Sequence, residues 1–310
     1  MGLGNKIKEY REENKMTQKD IAEILEVKPG TISKYESGMI EPNIESLKRL
    51  AGTFHITVDE LLKEDGEKFD VSKVNVLEVL REQKEMQLKG NLYHNTQIIF
   101  AYNTNHIEGS KLTENQTRYI FETNSILFEG ETVASVDDIL ETANHFKLVD
   151  YMLDVAEKEL TEDMIKTFHK ILKEGTMEIR KEWFKVGDYK KVVNEAGNMK
   201  TTSPKETPNA MKKLMEWYNS LEKITMKEII EFHVKFERIH PFQDGNGRVG
   251  RIIMFKECLK NNIIPFIILD KNKLFYYRGL KEYKSEKGYL VDTCLNEQDQ
   301  YISMIEYYLK

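Results

Sequence analysis

The sequence predicts a mainly α-helical protein of two domains, and three observations carry that expectation. Apolar residues recur at spacings of three and four through most of the chain, strand-like alternation is confined to one short stretch, and a polar run divides short helices from longer ones. The run Lys63 to Lys73 (KEDGEKFDVSK) lacks any apolar period, which places a first domain at 1–64, a linker at 65–73 and a second domain at 74–310.

In the first domain, Asn5 to Asn14 reads as a polar helix and Thr17 as the cap of a second carrying Ile21, Ala22 and Leu25. Val27 to Gly30 reads as a turn. A third helix then spans Thr31 to Ser37 and is stopped by Gly38; Ile44, Leu47 and Leu50 begin a fourth, and Val58, Leu61 and Leu62 mark a fifth.

The second domain opens with a helical stretch from Val74 to Lys89. Helices follow around Thr104 to Glu108, from Leu112, from Asp137 to Glu159 on the stripe Leu140, Ala143, Phe146 and Met152, and from Thr161 to Lys173. Between Trp183 and Pro208, the residues Val186 to Tyr189, Val192, Val193 and the turn Asn194 to Asn198 alternate as a short hairpin. Helices resume at Asn209 to Leu221, at Ile229 to Ile239, from Arg248 onward and beyond Asp270, where Tyr276 and Tyr277 suit core packing or a base pocket.

Composition sets bounds. The 310 residues carry a net charge of −6, with 40% hydrophobic and 32% charged residues, an ordinary balance that argues against a general membrane or nucleic-acid coat. Two cysteines and no apolar leader or membrane-length run point to a reducing cytoplasm and no membrane partner. His145, His169 and His233 fall among apolar helical residues, and no zinc spacing surrounds them.

The most informative stretch is His240 to Arg251 (HPFQDGNGRVGR). Gly245 and Gly247 flank Asn246, so the backbone there is free to turn its N–H groups towards an anion, at the entry of a helix whose positive end faces the same point. Arg248 and Arg251, three apart, share a helical face and suit a polyphosphate. Asp244 is a hard oxygen donor placed to hold a magnesium ion on those phosphates, and His240 can take a proton from an attacking hydroxyl. The same residues would also serve a plain turn capped by Asp244 and Gly245, with surface arginines and a core histidine. Gly245, Gly247 and Gly250 match the dinucleotide fingerprint as well, but that motif needs a strand before it, and Ile229, Phe232, Phe236 and Ile239 are spaced as a helix.

HPFQDGNGRVGR resembles the signature HPF-x-D-G-N-G-R-x-x-R of the Fic family at every fixed position. The resemblance implies an all-helical Fic core with a small β-hairpin flap that clamps the target, and transfer of AMP from ATP to a Ser, Thr or Tyr hydroxyl of a protein. It implies His240 as base, Asp244 as Mg2+ ligand, and Asn246, Arg248, Arg251 and the N–H groups of Gly245 and Gly247 as phosphate contacts. Upstream, Thr104-x-x-x-Glu108-Gly109 resembles the inhibitory [ST]-x-x-x-E-[GN] motif, implying an inhibitory helix at about 102–109 whose Glu108 pairs with Arg251. A carboxylate on that guanidinium takes the place of the terminal phosphate. The same glutamate could orient water for removal of AMP, and UMP, phosphocholine or phosphoryl transfer remain open on this fold. Many relatives carry arginine where Lys190 stands.

The run M-T-Q-K-D-I-A, V-K-P-G-T-I-S-K-Y-E-S-G and I-E-S-L-K-R-L-A resembles the Cro and lambda-repressor-like helix-turn-helix domain. It implies that Gln18 grips a DNA phosphate and that the third helix enters the major groove with Lys28, Thr31 and Lys34 outermost, Ile32 and Tyr35 being core. Residues 1–64 nevertheless hold ten Lys and Arg against twelve Asp and Glu, a net of −2, so the cations would have to gather on one face. A bundle used for homodimerisation or target recognition is the other reading of this domain. For the whole chain, the rival to an adenylyltransferase is a transcriptional regulator whose Fic fold senses nucleotide.

Overall fold

The computed structural model describes residues 2–54, 56–62, 69–127, 134–196 and 199–310. The chain divides into two compact units, Met1–Asp70 and Val71–Lys310. Most of the expected linker and the tip of the expected hairpin turn lie outside the described residues.

The first unit holds five helices: α1 (Leu3–Glu13), α2 (Gln18–Leu25), α3 (Pro29–Glu36), α4 (Ile44–Phe54) and α5 (Val58–Leu62). Thr17 caps α2 through a reciprocal capping box with Asp20. Helix α3 starts two residues earlier than the expected Thr31, because Pro29 at its first turn has the φ a helix needs and no N–H to waste. Ile7, Ile21, Ile32, Leu50 and Leu61 form a fully buried core, with Tyr35 packed beside them. Beneath α3, Arg11 Nε donates to Glu36 Oε1 at 2.6 Å, both side chains nearly buried.

Among the described residues, the second unit is helical apart from one two-strand ladder. Its elements are α6 (Val76–Met86), α7 (Leu92–Ile107), α8 (Glu114–Thr123), α9 (Val136–Asp154), α10 (Glu162–Leu172), β1 (Glu195–Ala196), β2 (Met199–Lys200), α11 (Thr207–Asn219), α12 (Met226–Ile239), α13 (Asn246–Lys260), α14 (Lys273–Glu282) and α15 (Gly288–Leu309). Helix α6 ends at Met86, short of Lys89, where Gln87 turns left-handed. Helix α9 ends at Asp154, short of Glu159. The strands pair antiparallel, Glu195 with Lys200 and Ala196 with Met199. Val186 to Val193, expected to alternate as strand, do not join the ladder: Lys190 N–H is spent on Pro241 O at 2.8 Å and Val192 N–H on the Gln243 side chain at 3.2 Å.

Helix α13 is the axis of this unit. It is buried on all sides from Arg248 to Leu259 and packs on α7, α9, α10 and α12. Its later turns bury apolar residues together with the Lys256–Glu257 pair, whereas its first turns meet Thr104 of α7 and Glu141 of α9, both buried. Among the described residues no helix is long and apolar enough to cross a membrane.

The Arg11–Glu36 pair gives a test of the first unit. Without Glu36 the nearly buried Arg11 keeps only the Met16 carbonyl and the exposed Glu12, so Glu36→Ala is expected to cost about 3 kcal/mol. Hydrogen exchange should show amides of residues 3–54 losing protection while α13 and α15 keep theirs.

Candidate active site

His240 stands at the end of α12, held in a left-handed conformation (φ 52°, ψ 60°) that turns the chain towards α13. Its Nδ1 lies 3.3 Å from the Glu237 carbonyl. A carbonyl only accepts, so this contact assigns the donor role to Nδ1, and in the neutral ring that leaves Nε2 as the acceptor. The Glu237 carboxylate stands 3.7 Å from the same nitrogen. Burial would raise that carboxyl, but its bond to His240 and the nearby His233 hold it below the usual range.

The loop between His240 and α13 is fastened from within. Phe242 is fully buried and stacks on His169 at 4.0 Å between ring centres. The Asn246 side chain serves both backbone groups of Phe242, accepting from its N–H at 2.8 Å and donating to its carbonyl at 2.9 Å. This asparagine was expected on phosphate; here its amide is occupied by the loop. Gly245 alone of the two flanking glycines has a positive φ, 78°. Gly247 is already helical and matters for room: a Cβ there would strike Glu108 Oε1.

The two arginines part company. Arg251, 3% exposed, donates Nε to Thr104 Oγ1 at 2.6 Å, and Nη2 to Glu108 Oε1 at 2.6 Å and to the Thr104 carbonyl at 3.1 Å. Burial would lower this guanidinium's pKa, but the Glu108 charge more than offsets it. Arg248, 4% exposed, pairs with Glu141 of α9 and with Asp244 Oδ2 at 3.1 Å.

Asp244 also meets Lys173 Nζ at 2.7 Å. Burial would raise its carboxyl, yet the Arg248 and Lys173 cations hold it well below the ordinary aspartate value. Glu141, Glu178 and Asp244 bring oxygens within 4.8 Å of one another, and the Lys173 ammonium bonds to all three. An ammonium therefore already serves this trio. Asp244, its side chain 45% exposed, is the one of the three that borders the cavity described next.

A cavity of about 550 Å³ is lined by His240, Asp244, Gly247, Arg251 and Glu108. Arg248 and Asn246 do not line it. The lining also includes Val234, Leu280, Tyr276 and Tyr277, an apolar and aromatic surface suited to a flat ring. Tyr276 is buried and bonds His233 at 2.6 Å; Tyr277 is 43% exposed and donates to the Ile107 carbonyl at 3.1 Å, one residue before Glu108. The N-terminal turn of α13, whose leading N–H groups have no partner within a helix, reaches this cavity at Gly247.

In the first unit, Lys28 and Lys34 are exposed and Thr31 is half-buried on α3, while Ile32 and Tyr35 are buried as expected. Gln18 turns its amide inward, donating to Glu36 Oε2 at 2.8 Å, where it joins Arg11. Sequence reasoning missed Glu141, Lys173 and Glu237, and it singled out Lys190 without giving it a role. The available signal was charge at helix positions that the apolar period would bury.

Residues 159–258 match the Fic/DOC family, and residues 7–61 match a helix-turn-helix family. The protein adenylyltransferase fic-1 of Caenorhabditis elegans is 24% identical over 199 residues, 60% of this chain and 36% of that protein. Protein adenylyltransferase Fic of Drosophila ananassae is 28% identical over 184 residues, 58% of this chain and 35% of that protein. The chain thus spans about a third of the length of these curated relatives. A Fic domain containing signaling protein of Bacteroides thetaiotaomicron shares the fold, with a TM-score of 0.56 and 24% identity over 76% of this chain and 92% of that one.

Burial sets an acid sensitivity around this site. Desolvation brings His145 and His169 down to about 3 and His233 to about 4, with nearby Arg251, Arg248 and Lys173 charges adding to the shift. Unfolded histidine protonates near pH 6.5, so the stability is intact above that pH. It falls on acidification by about 1.4 kcal/mol per pH unit per histidine until the folded value is reached. Denaturation measured from pH 7 to 4.5 should show this decline in the second unit, and His145→Leu should remove one histidine's share of it, about 1.4 kcal/mol per pH unit.

Proposed function

We propose, for a chain that carries a Fic domain behind a helix-turn-helix domain, that it is a protein adenylyltransferase moving AMP from ATP to a Ser, Thr or Tyr hydroxyl, held off by Glu108. The observation that carries this reading is the convergence of His240, Asp244, the α13 N-terminus and Arg251 on one cavity that Tyr276 and Tyr277 also line. In the reaction, His240 Nε2 accepts the proton of the hydroxyl, whose oxygen bonds to the α-phosphorus as the bond to pyrophosphate breaks. Arg251 and the first N–H groups of α13 take the charge of the phosphates. Asp244 would hold Mg2+, which would neutralise phosphate charge; with Lys173 among the other carboxylates, phosphate oxygens and waters would complete its shell.

Restraint follows from competition for one guanidinium. Glu108 and Thr104 take the donors of Arg251 that a terminal phosphate needs, and Glu108 lies against Gly247 where the phosphates would pass. Exposed Lys28 at the N-cap of α3, with half-buried Thr31 and exposed Lys34 on that helix, are the proposed DNA contacts of the first unit. Gln18, occupied by Glu36, would have to exchange that bond for a phosphate. Two buried free thiols accord with a reducing cytoplasm.

Incubation with α-labelled ATP tests the catalytic reading. Glu108→Gly should raise AMP incorporation into the protein at least tenfold, and adding His240→Ala should lower it by about a hundredfold or more. Equal labelling of wild type and Glu108→Gly would contradict the restraint. For the head, a gel shift on promoter DNA of its own operon should show binding that is lost in Thr31→Ala with Lys34→Ala; binding that survives both changes would refute α3 as the reading helix.

A further inference from the structure

Lys190 is 2% exposed, and among the described residues no carboxylate pairs with it. Its Nζ instead donates to three neutral acceptors from three segments: Asn194 Oδ1 at 2.7 Å, Thr201 Oγ1 at 2.9 Å and the Ile239 carbonyl at 3.1 Å. Asn194 and Thr201 are the two feet of the hairpin β1–β2, and Ile239 immediately precedes His240. An ammonium has three donors, so the set is matched one to one. Burial without a counter-charge is costly and pushes this amine down to about 8. An apolar side chain of the same length would avoid that cost but leave three acceptors without this donor.

The neighbouring bonds run the same way. Lys190 N–H donates to Pro241 O at 2.8 Å, Asn194 Nδ2 to Phe242 O at 2.8 Å, and Thr201 Oγ1 bonds back to Asn194 at 2.7 Å. Lys190 and Asn194 thereby tie the approach to the hairpin to residues 239–242, Thr201 is tied to Asn194, and the hairpin reaches the cavity through Glu195.

We propose that Lys190 is a positioning residue of this site: its buried ammonium fixes the hairpin 194–201 against the chain that carries His240, so that a segment held by the hairpin meets Nε2 at reacting distance. The catalytic part of this inference rests on the proposed adenylyl transfer, whereas the brace itself does not. Lys190 touches no cavity-lining atom of Arg251 or Asp244, so nucleotide affinity is not its business; alignment of base and acceptor is.

The test uses the full chain in the Glu108→Gly form, with Lys190→Met, Lys190→Arg and Thr201→Val. Lys190→Met should speed amide exchange across 192–201 about tenfold or more while α13 and α15 keep their protection. At saturating ATP it should slow single-turnover incorporation of labelled AMP about tenfold, with the Kd for ATP within about twofold. Lys190→Arg, which keeps a cation with donors, should recover part of both losses. Exchange and rate unchanged in Lys190→Met would overturn the proposal, as would a rate loss matched by an equal loss of ATP affinity. If Lys190→Met loses protection throughout the second unit, Thr201→Val decides: faster exchange at 194–200 in a folded protein supports the brace, and unchanged exchange overturns it. Should Glu108→Gly neither bind ATP nor label, adenylyl transfer fails, and the exchange measurements still judge the brace.

Discussion

Two guanidinium groups buried in the first two turns of a central helix must be neutralised by whatever packs around them, and that requirement organises the second unit. A buried, unpaired cation is far more costly than a paired one, so each arginine draws a carboxylate from a different neighbour. Glu108 comes from the end of α7 and Glu141 from the middle of α9. Asp244, from the loop itself, completes the set with Lys173 of the α10 terminus. Helices α7, α9 and α10 are thus fixed around α13 by charge as well as by apolar contact.

The two pairs differ in how readily they can be exchanged. Arg248 and Glu141 are both nearly buried and share their neighbourhood with Lys173, so this pair is part of the frame. The Glu108 side chain is 31% exposed and faces the cavity, at a helix end followed by a glycine with φ of 102°. A carboxylate in that position can be displaced without dismantling a core. Tyr277, which lines the same cavity, holds the carbonyl just before Glu108, so a ring bound against Tyr277 would be felt at the end of α7. Under the proposed function, occupancy of the base wall and release of the arginine are neighbours in space.

Contiguous patterns were readable in the sequence because local geometry alone makes their residues neighbours. Thr104 and Glu108, one helical turn apart, do meet Arg251, and His240 to Arg251 do fold as a loop into a helix. Residue types at the cavity followed, but individual tasks did not: Asn246 is spent on Phe242, and Arg248 turns to Glu141. Glu141, Lys173 and Lys190 arrive by tertiary packing from helices and turns that look ordinary along the chain. The apolar stripe assigned to α9 hid the buried polar residues Glu141, Thr142 and Asn144, which meet Arg248 of α13, Asn105 of α7 and the carbonyls of Leu172 and Glu174. The hairpin was displaced for a related reason, since long-range bonds to 241–243 claimed the backbone donors that local alternation assigned to a ladder.

The central claim is that one guanidinium, that of Arg251, serves either Glu108 or a nucleotide phosphate. A crystal structure of the Glu108→Gly protein with a non-hydrolysable ATP analogue tests it most directly. The account predicts a phosphate oxygen within hydrogen-bond reach of Arg251 Nη2, in the place now held by Glu108 Oε1, with His240 Nε2 facing the side of the α-phosphorus. Phosphates lodged elsewhere, with Arg251 bonded only to Thr104, would contradict it.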